Sequence, residues 1–392
     1  WRAGGKPRAP SKIIATRWRE KSDMAYIDST SSSRASRVLS LFMLSFRAQW
    51  FFFAIPSLYL FTNWLMLSRL PKHGTAPVFL VLLDLLSFAL PVGFIVMVII
   101  RLIQYAVVIK PESPIKALGA DIASLVMRPR LVINALPVFT AMVFFNKAMI
   151  ELKPAIPAIN PFAWDVSFMA WDRALHFGMD PWVILQPLLG FDYVTFAINM
   201  AYNFWFVALF SAWFWFGFQK QANELRTRFF LSYMLAWWIG GGLLAVLFSS
   251  AGPVYYDELG LTPDPYAGLF AYLNDANTRI PLWFLDTQQM LWDGYIGKIP
   301  ALGISAMPSM HNASAVLFAL AFRHVSRGLG WFFTGYAVVI LVGSVHLGWH
   351  YAIDGYAGIL IALFSWWLAG LMARWLGQLP ALRRYNEGLA SL

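Results

Sequence analysis

The residues best suited to chemistry lie in two short runs of this 392-residue chain: Pro308-Ser309-Met310-His311, then His346, His350 and Asp354. Imidazole gains and loses a proton near neutral pH, so His311 and His350 suit a general acid, a general base or a nucleophile. His350 and Asp354 are four residues apart. On a helix that spacing puts them one turn apart on one face, where the carboxylate accepts the imidazole N–H, orients the ring and raises its basicity. Pro308 and Ser309 fit the opening turn of a helix, whose free N–H groups and dipole attract an anion. Taken singly, each residue also has a plainer reading, as an interfacial hydrogen-bonding group or, for Ser309, as a helix cap. Their conjunction is what reads as a site.

Membrane helices must position those runs. Of all residues 59% are hydrophobic, 17% aromatic and only 13% charged, with 19 Trp, which is too apolar for a water-soluble globule. A bilayer core takes about 20 apolar residues in helical form. Eight stretches approach that length, at 48–67, 78–100, 131–149, 191–217, 229–249, 305–323, 331–345 and 351–373. The expected fold is therefore all-α, a polytopic bundle of about eight transmembrane helices. Residues 1–47 hold ten Lys or Arg and no apolar run, so no cleavable signal peptide is read there and the first span is expected to act as the anchor. Residues 1–23, ahead of Met24, read either as a disordered extension or as a start-site artefact.

Basic residues divide unevenly between alternate loops. With the amino terminus in the cytoplasm, that side collects 23 Lys and Arg and the other side 7. This is the positive-inside asymmetry, and it puts both termini in the cytoplasm. The formal net charge of +10 then faces anionic lipid headgroups and is not a nucleic-acid footprint. Both motif runs fall on the opposite, periplasmic or lumenal face. On that face, residues 150–190, rich in Pro and Trp, read as an interfacial or re-entrant platform, and residues 250–304 as a lid or loop region. Zero Cys removes disulfides, thiolate nucleophiles, zinc-thiolate sites and iron–sulfur clusters. No carboxylate cluster offers a metal site either, so no metal or other cofactor is expected. Zero Cys and compact loops lean toward a bacterial inner membrane. Asp84, alone in mid-span, reads as a partner for a neighbouring helix or as the mark of an ion path.

The run Ser305-Ala306-Met307-Pro308-Ser309-Met310-His311, a helix, a short basic turn, a second helix and then His346-Leu347-Gly348-Trp349-His350-Tyr351-Ala352-Ile353-Asp354-Gly355-Tyr356-Ala357-Gly358 resemble the second and third signature motifs of the phosphatidic acid phosphatase type 2 superfamily. Vanadium-dependent haloperoxidases share that fold. The match has motif strength over about 55 residues, and the order of helices extends it to 131–373. Pro-Ser-x-His followed by His-Tyr-x-x-Asp most resembles the branch of inositol phosphorylceramide synthases and their bacterial relatives. The resemblance implies a six-helix catalytic membrane domain at 131–373. Two accessory helices and a cytoplasmic loop (48–130) and the basic segment 1–47 precede it, and a cytoplasmic tail (374–392) follows. It implies a metal-independent lipid phosphatase or phosphotransferase with His350 as nucleophile, Asp354 behind it and His311 acting on the leaving group. The substrate would be a phospholipid or sphingolipid held in the bilayer, and the acceptor water or a polyol such as inositol.

Three positions depart from the superfamily pattern. No basic residue stands near 249–256, where the Lys and Arg-Pro of the first motif should fall; Ser344 takes the place of the third-motif Arg; Met310 replaces the usual Gly of the second. The phosphate charge must then be met elsewhere. The substrate-binding candidates are Ser309, His346, Arg279, Arg173 and Lys298, with Arg279 slightly ahead of Arg173. Arg173 and Arg279 also read as solvated loop charges and His346 as a loop-lining residue, while Arg226 and Arg228 fall on the cytoplasmic face. A transporter without phosphoryl transfer is the alternative class, but carriers bind substrate near the midplane, not at one face. A haem protein fails because His346 and His350, four apart on one helix, cannot ligate opposite faces of one haem.

Overall fold

The computed structural model describes residues 34–68, 70, 78–126 and 129–391, so the reading of residues 1–33 and of the Asp84 side chain lies outside the described residues. Regular structure among the described residues is helical throughout. In chain order, the helices that build the bundle and its site are α1 (Trp50–Leu67), α2 (Val78–Ile109), α3 (Pro129–Ile159), α4 (Asp165–Leu175), α5 (Asp192–Gly217), α6 (Glu224–Leu247), α7 (Met310–Arg323), α8 (Arg327–His346) and α9 (Ala352–Gly377). Seven of these, all but α4 and α7, are long and apolar enough to cross a membrane. Local chemistry starts several of them: the Asn223 side chain accepts the Arg226 N–H at the head of α6, and Ser326 accepts the Leu329 N–H at the head of α8. Helix α2 runs past its expected end at residue 100 and packs on α5, leaving most of its apolar surface outward.

The eighth expected span, at 305–323, is the short α7. Its 14 residues rise about 21 Å, against about 30 Å of hydrocarbon. Helix α7 instead forms the centre of the bundle, enclosed by α6, α8 and α9, with Ala313, Ala315, Leu317, Phe318 and Ala321 fully buried. The small alanines let neighbouring helices approach closely. Non-helical residues 301–309 precede it, and their backbone is satisfied by neighbours. The N–H of Ala306 donates to the Ser250 carbonyl (3.0 Å), that of Met307 to Ser250 Oγ (3.2 Å) and that of Ser309 to the Asp354 carbonyl (2.9 Å). Irregular backbone is tolerated at membrane depth only where protein or a cavity receives it in this way. The antiparallel α8 has 20 residues, six more than α7.

At this same end of the bundle, the platform expected at 150–190 contains α4 and a second short helix, Pro181–Leu189. The lid region expected at 250–304 contains two helices, Ala267–Arg279 and Phe284–Tyr295.

Candidate active site

Helix α9 begins at Ala352, after His350, so the two residues do not share a helical face. Asp354 sits in the first turn and reaches back: its Oδ2 accepts from His350 Nδ1 (3.3 Å) and from the Tyr351 N–H (3.0 Å). Asp354 is fully buried and His350 is 8% exposed, so the pair is shielded while one imidazole nitrogen stays free. The His350 N–H donates to the Ser344 carbonyl (3.1 Å), which ties the loop to the end of α8.

Two other carboxylates, both on α4, lock this arrangement. Asp172 accepts the N–H groups of Ala352 (2.7 Å) and Ile353 (3.0 Å), which are orphan donors of the first turn of α9. Asp165 accepts the N–H groups of Ala251 (3.0 Å) and Gly252 (2.8 Å) and the Tyr351 hydroxyl (2.9 Å). One short helix thereby clamps the loop at 250–252 and the head of α9 together. Burial raises both carboxyls above the usual range, Asp172 to about 6, while the backbone N–H groups oppose the shift. Between the unfolded value near 4 and this value the folded protein holds the extra proton, so the contribution of Asp172 to stability falls as pH rises from about 4 to 6. Asp172→Asn carries no such titration. Its stability relative to wild type should therefore improve by about 2 kcal/mol between pH 4 and pH 7, read from unfolding followed by tryptophan fluorescence. A gap that stays constant with pH would show that Asp172 titrates normally.

Ser309 stands at the N-cap position of α7 without a side-chain capping bond, and His311 follows in its first turn. The His311 ring stacks on Tyr202 (centroids 4.8 Å apart) and leans on Trp205 (4.4 Å). Ser309 is fully buried, and its hydroxyl accepts from Asn312 Nδ2 (3.0 Å), which also reaches Ser344 Oγ (3.3 Å). A Ser309–Asn312–Ser344 bridge thus includes the residue that the motif resemblance aligns with an Arg. Gly358 permits the closeness of α7 and α9, since a Cβ there would lie 2.4 Å from the Ser309 carbonyl oxygen. The Met310 side chain packs on Gly240 and Gly241, where α6 is wound as a π-helix.

His311 and His350 line one cavity of about 260 Å³, with Lys153, Tyr202, Trp237 and Trp349 among its walls. The expected catalytic residues therefore come together: His350 on Asp354, and His311 across the cavity. The expected binding residues Ser309, His346, Arg279, Arg173 and Lys298 are not among the residues that line this cavity. The hydroxyl and N–H of Ser309 are both taken inside the protein. His346 is buried against α5, bonded to Thr195 Oγ1 (2.9 Å). Each candidate cation has a carboxylate partner away from the cavity: Arg173 pairs with Asp180 (2.8 Å), not with Asp172, Arg279 with Asp192 (2.6 Å) and Asp275 (2.7 Å), and Lys298 with Asp293 (3.1 Å). Arg226 is buried elsewhere, on Gln49 and the Asn134 carbonyl, and Arg228 stacks on Trp366.

Sequence reasoning missed Lys153, Asp165 and Asp172. The two aspartates carried one legible signal, seven residues apart in a Trp-rich amphipathic segment, which puts both on one helix face. Lys153 carried none, being one of several loop cations.

A family model described as the PAP2 superfamily matches residues 166–368, just over half of the chain. No curated protein and no solved structure matches the chain.

Proposed function

The chain belongs to the PAP2 superfamily, and on that premise we propose that it is a membrane lipid phosphotransferase or phosphatase working through a phosphohistidine. The observation that carries this reading is the convergence of the His350–Asp354 pair and His311 on one cavity. In the first displacement Nε2 of His350 attacks phosphorus, and the phosphorus–oxygen bond to the leaving group breaks. Asp354 holds the Nδ1 proton and stabilises the imidazolium that forms. His311 gives its proton to the departing oxygen. In the second displacement His311 takes the proton of the acceptor, whose oxygen bonds phosphorus as the nitrogen–phosphorus bond breaks. Free N–H groups in the first turn of α7 aim partial positive charge at the equatorial oxygens.

The charge asymmetry of the loops supports a site on the periplasmic or lumenal face with both termini in the cytoplasm. A bilayer-held lipid suits a cavity sunk into the bundle. A second hollow of about 690 Å³ shares Gly303 and Ile304 with the cavity and offers room beyond the reacting phosphate. The motif pattern and the missing first-motif cations favour headgroup transfer, with a polyol acceptor such as inositol, over simple hydrolysis.

Thin-layer separation of products from labelled phospholipids, with and without inositol or glycerol, tests the reading on purified protein. A transferred headgroup or released phosphate is expected, unchanged by EDTA and inhibited by orthovanadate, which adopts the trigonal-bipyramidal geometry of the transferring group. Activity that EDTA removes and Mg²⁺ restores would overturn the metal-free mechanism. No product from any lipid phosphate would overturn the enzyme itself.

A further inference from the structure

We propose that Lys153 is the cation that holds the substrate phosphate, and that with Lys153 as the one Lys or Arg lining the cavity among the described residues the site takes a phosphodiester rather than a phosphomonoester. This rests on the phosphoryl-transfer reading above and names its substrate class.

Lys153 lies in α3, where the helix tightens before Pro154. Among the described residues it is the one Lys or Arg lining the cavity, and no Asp or Glu lines it. Its neighbour Lys147 already takes Glu151, and no described carboxylate pairs with Lys153, unlike Arg173, Arg279 and Lys298. Its position is fixed by packing. Gly303, with φ of +91°, lies so close that a Cβ there would come within 2.7 Å of the Lys153 carbonyl carbon and 2.8 Å of its Cγ. The loop that leads to Pro308 and His311 is thereby seated on Lys153, and both Lys153 and His350 lie within electrostatic reach of His311.

An unpaired ammonium in a largely apolar wall is costly unless an anion meets it. A phosphodiester brings one negative charge, which Lys153 neutralises. A dianionic monoester would leave a second charge facing Asp354 behind His350, with no further Lys or Arg among the described lining residues to receive it. The missing first-motif and third-motif cations then describe a site built for a single charge.

The test uses purified full-length protein in detergent–lipid micelles, with wild type, Lys153→Gln, Lys153→Met, Lys153→Arg, Arg279→Gln and His350→Ala. Orthovanadate binding is followed by quenching of tryptophan fluorescence, since Trp237 and Trp349 line the cavity. Turnover is compared between phosphatidylglycerol and phosphatidic acid of the same acyl chains. Lys153→Gln and Lys153→Met should weaken vanadate binding and lower kcat/KM for the diester by more than tenfold. Lys153→Arg should keep part of both, Arg279→Gln should stay within twofold, and wild type should prefer the diester. Lys153→Met should also melt higher than wild type, because the unpaired charge is gone; a structural lysine would give the opposite shift. If the Gln and Met variants stay within twofold of wild type while His350→Ala is dead, the Lys153 assignment falls and the phosphoryl-transfer reading stands. Faster turnover of phosphatidic acid overturns the diester assignment. Wild type that neither binds vanadate nor turns over either lipid overturns both readings.

Discussion

Replacing His350 by Ala is expected to abolish turnover in a protein that still folds. The ring contributes one hydrogen bond to Asp354, at 3.3 Å, whereas the head of α9 is held by Asp172 through the backbone of Ala352 and Ile353. Removing the imidazole therefore removes the nucleophile without releasing the helix. Loss of a nucleophile costs on the order of 10⁴-fold or more, and the remaining polar groups supply only residual rate. Asp354→Asn should come close to the same loss. The Asn amide keeps an oxygen for the Tyr351 N–H but cannot favour the Nδ1–H tautomer or stabilise the imidazolium. Because the two residues act as a unit, the double variant should be little worse than His350→Ala alone. Near-normal turnover in a folded His350→Ala protein, judged by an unchanged melting profile, would sink the mechanism.

His311→Gln should lower turnover of a natural lipid by about 10²- to 10⁴-fold, the usual worth of a positioned acid or base. The size of the loss should depend on the leaving group. An alkoxide must be protonated as it departs, while a nitrophenolate leaves without help. With a nitrophenyl ester substrate the first step of the variant should fall by less than about tenfold, leaving a phosphohistidine that resolves slowly because the acceptor has lost its base. Rapid-mixing kinetics would show this as a burst of nitrophenol followed by a slow steady state. The same loss for both leaving groups would mean that His311 only shapes the cavity, where it already stacks on Tyr202 and Trp205.

Much of the architecture was legible because hydropathy is additive along a chain. Twenty or so apolar residues in a row need no partner to be recognised as a span, and the expected spans at 48–67, 191–217 and 351–373 correspond to α1, α5 and α9. The stretch at 305–323 is helical only from Met310 on, for an instructive reason. Its composition is apolar enough, yet Ser305 to Ser309 leave the helix to bond with Ser250 and Asp354, and those partners are remote in sequence.

The chemistry divides in the same way. Residue type and closeness in sequence determined by themselves that His311, His350 and Asp354 were candidates, since an imidazole with a carboxylate a few positions on carries its meaning locally, although the pair meets through the turn before α9 and not on a shared helical face. Which cations face the cavity was decided only by the tertiary structure. Arg173, Arg279 and Lys298 were candidates and Lys153 was not, because a charge in a loop says nothing about its partners. The fold gave each of the first three a carboxylate and left Lys153 in the cavity wall. The same holds for Asp165 and Asp172, whose acceptors bond main-chain groups of residues more than eighty positions away. Charge neutralisation and helix capping across a bundle depend on distances in space, and no pattern within a single segment encodes them.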